Sequence, residues 1–369
     1  MKKFLAYMLV LVLKGQLFFG IETIIAKEKK LKIGFLMQYF SVRGAHVAVY
    51  DYADCNETIL NNESYIFYIS DNNINFLGTD KSKDIYMRFK QRFGANFLKC
   101  ASLKEMNQII LNLKIDILYN LKSGTKDKYY SSVCKNAVHA VFPPLEPHGD
   151  VYASVSSWLS NEYSALHVPH VSHMIRLDDT IDTLHEQLNI PKNAIVFGRY
   201  GGSNNFNIEF VKKTIIKAAE QHKNWYFIFL NTNKFCNIPN VIFLPATSDL
   251  KYKTKFINTC DAMIHAGIQG ETMGLACGEF SIKNKPIISE SKSCNKKNKY
   301  GRAHIDILGN KGFFYKDKNE LLDILNYFET HIDEIRVGHW DMYSKNYNPE
   351  VIMQQFNNVF IKPLITNKD

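Results

Sequence analysis

The sequence predicts an α/β protein of two doubly wound, Rossmann-like domains facing across a cleft. Three observations carry that prediction. Short continuous apolar runs alternate with longer amphipathic stretches, the pattern of a parallel sheet covered by helices on both faces. The pattern restarts after a changeover near residues 170–192. Polar and glycine-rich loops follow the apolar runs, where open parallel sheets bind their ligands. The 369 residues are long for one domain and comfortable for two. A 46% hydrophobic and 13% aromatic composition fills large cores and excludes a disordered chain.

In chain order, residues 1–30 form a leader. Lys2 and Lys3 precede an apolar run, Phe4–Leu13, and Ala26 stands before charged Lys27–Lys30. That arrangement resembles a secretory signal, and it equally suits a segment lying on a membrane surface. It is too short and interrupted for a span of about 20 apolar residues. Residues 31–175 make the first domain. Strands are expected at Leu31–Met37, Ser64–Ile69, Ile115–Tyr119 and Asn136–Phe142, with helices from Ala45, over Asp80–Arg92 and over Ser102–Leu113. Pro143, Pro144 and Pro147 then forbid a helix. Residues 176–345 make the second domain. It opens with a connecting helix at Asp178–Leu188 and continues with a strand at Ala194–Gly198 and a helix at Ile208–His222. Further strands fall at Trp225–Leu230, Val241–Leu244, Asp261–His265 and Pro286–Ser289. The tail, 346–369, carries a helix at Asn348–Phe360 that returns to the first domain.

The net charge of +9 suits anionic ligands or a membrane surface. No recognition-helix, zinc or aromatic-basic pattern points to nucleic acid. Seven scattered cysteines, never Cys-x-x-Cys, argue against a metal cluster or disulfide framework and for a reducing compartment. That conflicts with the signal-like leader, and the localisation stays open. The Asn-x-Ser/Thr triplets at Asn56 and Asn62 matter only in a secreted chain.

The chemistry concentrates in Cys260–Ser289, which reads strand, loop, helix, strand. Gly267–Gly270 is the loop and Glu271–Ile282 the expected helix, with Glu271 and Glu279 separated by seven residues. On one helix, eight positions advance about 800° and about 12 Å. Two carboxylates so placed do not chelate one ion, but they grip two ends of one elongated ligand. Glu271 at the helix start marks an anion site. Gly267, Gly270, Gly274 and Gly278 suggest close approach to the backbone. Elsewhere, Arg43 and Gly44 follow the first strand, His139 ends an apolar strand before His148, and Arg199 sits between Gly198 and Gly201-Gly202. The run Lys292, Lys296, Lys297, Lys299 and Arg302 is a solvated loop, or else a patch for an anionic glycan or lipid.

Glu271 and Glu279 in a Glu-x7-Glu arrangement, with His265 before them and Arg43-Gly44, His139 and Gly198-Arg199 in order, resemble retaining glycosyltransferases of the GT-B fold, family 4-like. The resemblance implies that the second domain holds a nucleotide sugar. Glu279 would bond the ribose hydroxyls and Glu271 the donor sugar. Arg199 would steady the diphosphate with the Gly44 loop, Arg43 and the backbone of Gly270, Thr272, Met273 and Gly274. His139 would sit near the donor sugar. Such enzymes usually carry a lysine five residues past the arginine, where this chain has Asn204. No metal or other cofactor is expected, since no Asp-x-Asp occurs. The expected partners are the donor and a glycan, lipid or protein acceptor. A sugar-nucleotide epimerase of related fold and a periplasmic sugar-binding protein are the competing readings.

Overall fold

The computed structural model describes residues 30–38, 40, 44–69, 80–291 and 301–365. All that follows concerns the unit Lys32–Asp369. The expected leader lies almost wholly outside the described residues, as do Arg43 and the lysines of 292–299. Among the described residues no helix is long and apolar enough to cross a membrane.

Two six-stranded sheets form the frame. The first holds β1 (Lys32–Met37), β2 (Glu63–Ile69), β3 (Phe97–Cys100), β4 (Ile117–Lys122), β5 (Lys135–Ala140) and β6 (Val151–Ser154). The second holds β7 (Ile195–Tyr200), β8 (Trp225–Leu230), β9 (Val241–Leu244), β10 (Ala262–His265), β11 (Ile287–Glu290) and β12 (Phe313–Tyr315). Their orders are β3-β2-β1-β4-β5-β6 and β12-β11-β10-β7-β8-β9, and among the described residues the strands pair in parallel. Numbered within its own half, each sheet runs 3-2-1-4-5-6. The order therefore reverses between β1 and β4, and again between β7 and β10. Those two switch points are where such sheets receive ligands.

The helices are α1 (Gly44–Thr58), α2 (Asp80–Phe93), α3 (Leu103–Leu113), α4 (Ser157–Glu162), α5 (Glu209–Gln221), α6 (Leu250–Thr259), α7 (Leu275–Ile282), α8 (Ala303–Leu308), α9 (Lys318–Thr330), α10 (Ile332–Val337), α11 (Ser344–Tyr347) and α12 (Pro349–Phe356). Local chemistry explains them. The strand Trp225–Leu230 is apolar on both faces because helices cover both sides of its sheet. In α5, Val211, Ile215, Ala218 and Ala219 recur at helical spacing and bury against Phe197, Phe227 and Phe229. Ser102 caps α3 by accepting from the Glu105 N–H, while the Glu105 carboxylate reaches back to the Ala101 N–H.

Several expectations need correction. β3, β6 and β12 have only three or four residues each and were not foreseen. Asp178–Leu188 forms no helix. Its backbone is claimed from outside: Asn258 donates to the Thr180 and Asp182 carbonyls, and the Leu184 N–H donates to Thr259. The helix expected from Glu271 starts only at Leu275. Gly270 and Gly274 both adopt positive φ, +62° and +82°, which breaks helical continuity at each end of the intervening turn.

The tail crosses to the first sheet. The Phe356 ring lies 5.1 Å from Tyr52 and 5.2 Å from Tyr119, and Phe360 lies 5.0 Å from His139. His173 joins this seam, with Nδ1 3.3 Å from the Tyr52 hydroxyl. Burial holds His173 down at about 4. The unfolded chain therefore binds the extra proton first, and this stability is lost as pH falls through the unfolded value toward 4. The stability gap between the native chain and His173→Phe should narrow by roughly 2 kcal/mol between about pH 7 and about pH 4.5, measured by urea unfolding.

Candidate functional site

The second switch point gathers the strongest cluster. Arg199 leaves the end of β7 and is 4% exposed. It donates to the Asn231 carbonyl at 3.3 Å, the Thr232 hydroxyl at 2.5 Å and the Gly202 carbonyl at 2.8 Å. Burial lowers its pKa to about 10 while Glu271 pulls it back up, so it stays charged at neutral pH. Its guanidinium thus binds the glycine loop after β7 to the loop after β8.

Glu271 belongs to the turn before α7 and not to a helix. Its N–H donates to the Gly301 carbonyl at 3.0 Å, and its carbonyl accepts from Ala303 at 3.1 Å. Its carboxylate lies 3.2 Å from His265 Nε2. His265 ends β10, and its Nδ1 lies 3.1 Å from Ser289 Oγ, which lies 2.9 Å from His304 Nε2. Burial holds the His304 imidazole well below its usual value, and its Nδ1 has no partner. A chain of hydrogen-bonded side chains, His265, Ser289 and His304, therefore backs the Glu271 carboxylate.

Glu279 lies on α7, 4% exposed. Its Oε1 accepts from Lys253 of α6 at 2.5 Å, while Oε2 is buried with no hydrogen-bond partner. Burial holds the Glu279 carboxyl well above the usual carboxylate range, with Asp51 of α1 adding to it. Burial pushes Lys253 down to about 8, against the pull of Asp51. Asp51 itself is raised to about 6 by burial, opposed by Arg176 and Arg88. Charges from both halves thus act on Glu279.

The first half contributes the start of α1. A Cβ on Gly44 would stand 2.8 Å from Leu275 Cδ1, so the first residues of α1 and α7 touch. α7 has no side-chain cap. Two positive helix ends therefore converge, the geometry that favours an anion between them. Gly274 caps α7, Thr272 is half-buried, and Met273 is 3% exposed within the core cluster. Gly270 packs on Gly301, and Gly278 on Ile175 and Tyr343. Asn204 is exposed and accepts from Asn233 at 2.7 Å.

His139 stands apart from this site. It is fully buried, with Nδ1 2.7 Å from the Tyr119 hydroxyl and Nε2 3.2 Å from the Ser154 carbonyl. Both ring nitrogens are used by the protein, and burial holds its pKa well below the usual value. It is a core histidine here, with no nitrogen left to meet a sugar. His148 lies 2.7 Å from the Glu146 carbonyl and 3.4 Å from Lys122 Nζ.

Sequence reasoning missed Lys253, Lys122, His304 and Tyr343. Lys122 ends β4, the first switch point, and is 4% exposed with its ammonium 2.6 Å from Asp127. A polar residue closing an apolar strand was a usable signal there. Lys253 carries none, since α6 reads as an ordinary amphipathic helix with lysines.

No family model matches the chain, and no curated protein is similar to it. Solved structures are. A glycosyltransferase from Rickettsia africae ESF-5 superposes with a TM-score of 0.67 at 12% identity, over 92% of this chain and 100% of that one. Anabaena Alr3699/HepE, in complex with UDP and glucose, gives 0.64 at 13%, over 89% and 98%. A putative UDP-N-acetylglucosamine 2-epimerase from Listeria monocytogenes gives 0.54 at 10%, over 92% and 98%. The chain has the fold of these proteins: two facing parallel sheets in the GT-B arrangement.

Lys253→Met should leave Glu279 buried and unpaired, costing about 3–5 kcal/mol in chemical denaturation. Adding Glu279→Gln should restore much of that loss, which a double-mutant cycle would read.

Proposed function

We propose that this chain is a glycosyltransferase that moves a sugar from a nucleotide-sugar donor to an acceptor hydroxyl, with retention and without a metal. One observation carries the reading. Glu279 Oε2 is a sealed carboxylate oxygen with no donor, placed one turn along α7 from the point where α1 and α7 meet. An orphan acceptor of this kind is costly unless a ligand completes it. The two hydroxyls of a ribose do so, and their diphosphate then reaches the converging helix starts.

The remaining groups take consistent roles. Arg199 holds the loops after β7 and β8 around the diphosphate and adds positive charge as the leaving group develops. Glu271, held by His265, accepts from the donor sugar's hydroxyls. Thr272 and the Gly270–Gly274 backbone border the same spot. With Asn204 in place of a lysine, Lys253 is a buried cation of the same half that could take part of that load. Arg43 is a further candidate beside Gly44. Lys253 already holds Glu279 Oε1, and the Asp51 charge acts on both groups. Attack on the face from which diphosphate leaves retains configuration.

The likeness to a putative epimerase favours a second reading, in which the donor sugar is isomerised without an acceptor. Product analysis separates the two.

UDP should raise the melting temperature of the full chain, and Glu279→Gln should weaken UDP binding by about tenfold or more. Arg199→Lys should keep the fold and lower donor turnover by about 100-fold. Stabilisation by free sugars alone, with no response to any nucleoside diphosphate, would overturn the reading in favour of a sugar-binding protein.

A further inference from the structure

A hollow of about 240 Å³ opens where α4 of the first half meets α8 and the tail. Its floor is Trp158, Ile307, Met342 and Tyr347, and its rim carries Asp306 and Asn346. It falls below the roughly 300 Å³ at which pockets for drug-sized ligands begin, so it takes one small unit. The Trp158 indole N–H and the Tyr347 hydroxyl make no protein hydrogen bond among the described residues, and neither is sealed from solvent. Aromatic faces beside a free N–H and O–H, an amide and a carboxylate match a pyranose, whose C–H face stacks while its edge hydroxyls donate and accept. Asp306 already pairs with Arg302 at 3.2 Å, which leaves the rim without a dominant charge.

The hollow adjoins the place given above to the donor sugar. Ala303, in its wall, donates to the Glu271 carbonyl at 3.1 Å. Tyr343 lies between them: its ring is 5.0 Å from Tyr347, and Glu271 is among the charges acting on its hydroxyl. That hydroxyl is fully buried and has no partner.

Resting on the transferase reading, we propose that the hollow between α4, α8 and the tail is a subsite for an uncharged pyranose of the acceptor, next to Glu271. The acceptor is then a saccharide, or a molecule presenting one.

Saturation-transfer NMR on the full chain tests this with methyl glucosides, galactosides and mannosides, with and without saturating UDP. At least one hexoside should bind and remain bound with UDP present. Asn346→Ala and Tyr347→Phe should each weaken it by about tenfold, with the melting response to UDP unchanged. Trp158→Phe should weaken it too, and the two tail variants keep the test valid if that core change unfolds the chain. No hexoside signal, a signal indifferent to both tail variants, or displacement by nucleotide sugar would overturn the subsite. Hexoside binding that depends on Tyr347 with no response to any nucleotide would sustain the subsite while removing the transferase reading.

Discussion

The first residue of α1 and the first residue of α7 touch because position 44 carries no side chain. That contact lets the two helix starts come close at the mouth of the cleft. A side chain at 44 would require the tip of Leu275 to move. Everything at the mouth of the cleft is arranged around the contact. Asp51 lies two turns along α1, and its charge acts on Lys253 and Glu279 of the other half. Arg176, on the connecting segment, pairs with Asp54 at 2.8 Å and stands 3.6 Å from Asp51. The seam is an alternation of acidic and basic groups contributed by both sheets.

Such a seam is a poor way to gain stability. Buried ion pairs often do no better than apolar residues of similar volume, and removing one partner is strongly destabilising. The apolar cluster that runs from Val155 and Leu159 into Cys277 and Phe280 already joins the halves. The charges over Glu279 therefore point to binding. The same logic applies at Glu271, whose orientation depends on two histidines and a serine. Each of these is more than nine-tenths buried, in a region where an aliphatic core would have packed as well.

Much of the frame was legible in the sequence. Trp225–Leu230 forms as expected, because a central strand buried on both faces leaves a continuous apolar run, and the edge strand Val241–Leu244 forms from its four apolar residues. Edge strands such as Phe313–Tyr315 have too few residues to leave one. The expected helix from Glu271 failed for a different reason. Gly274, inside the expected helix, and Gly270, at the end of the expected loop, both take a positive φ, so the residues between them form a turn. Moving Glu271 off the helix did not remove it from the site, since the bridge to Gly301 and Ala303 returns it to His265 and Arg199. His139 shows the opposite outcome. Its place near the end of a strand suggested a ligand contact, but the tail aromatics Phe356 and Phe360 cover it, a long-range contact that no local pattern reveals. Lys253 and Tyr343 were invisible for the same reason: their partners come from segments far away in sequence.

The central claim is that one nucleotide spans the gap between the start of α1 and the buried face of α7. A crystal structure of the full chain with UDP bound tests it most directly. The account predicts the diphosphate between Gly44 and Leu275, and ribose hydroxyls within hydrogen-bond distance of Glu279 Oε2. A nucleotide bound elsewhere, with that oxygen still sealed and unpartnered, would contradict it.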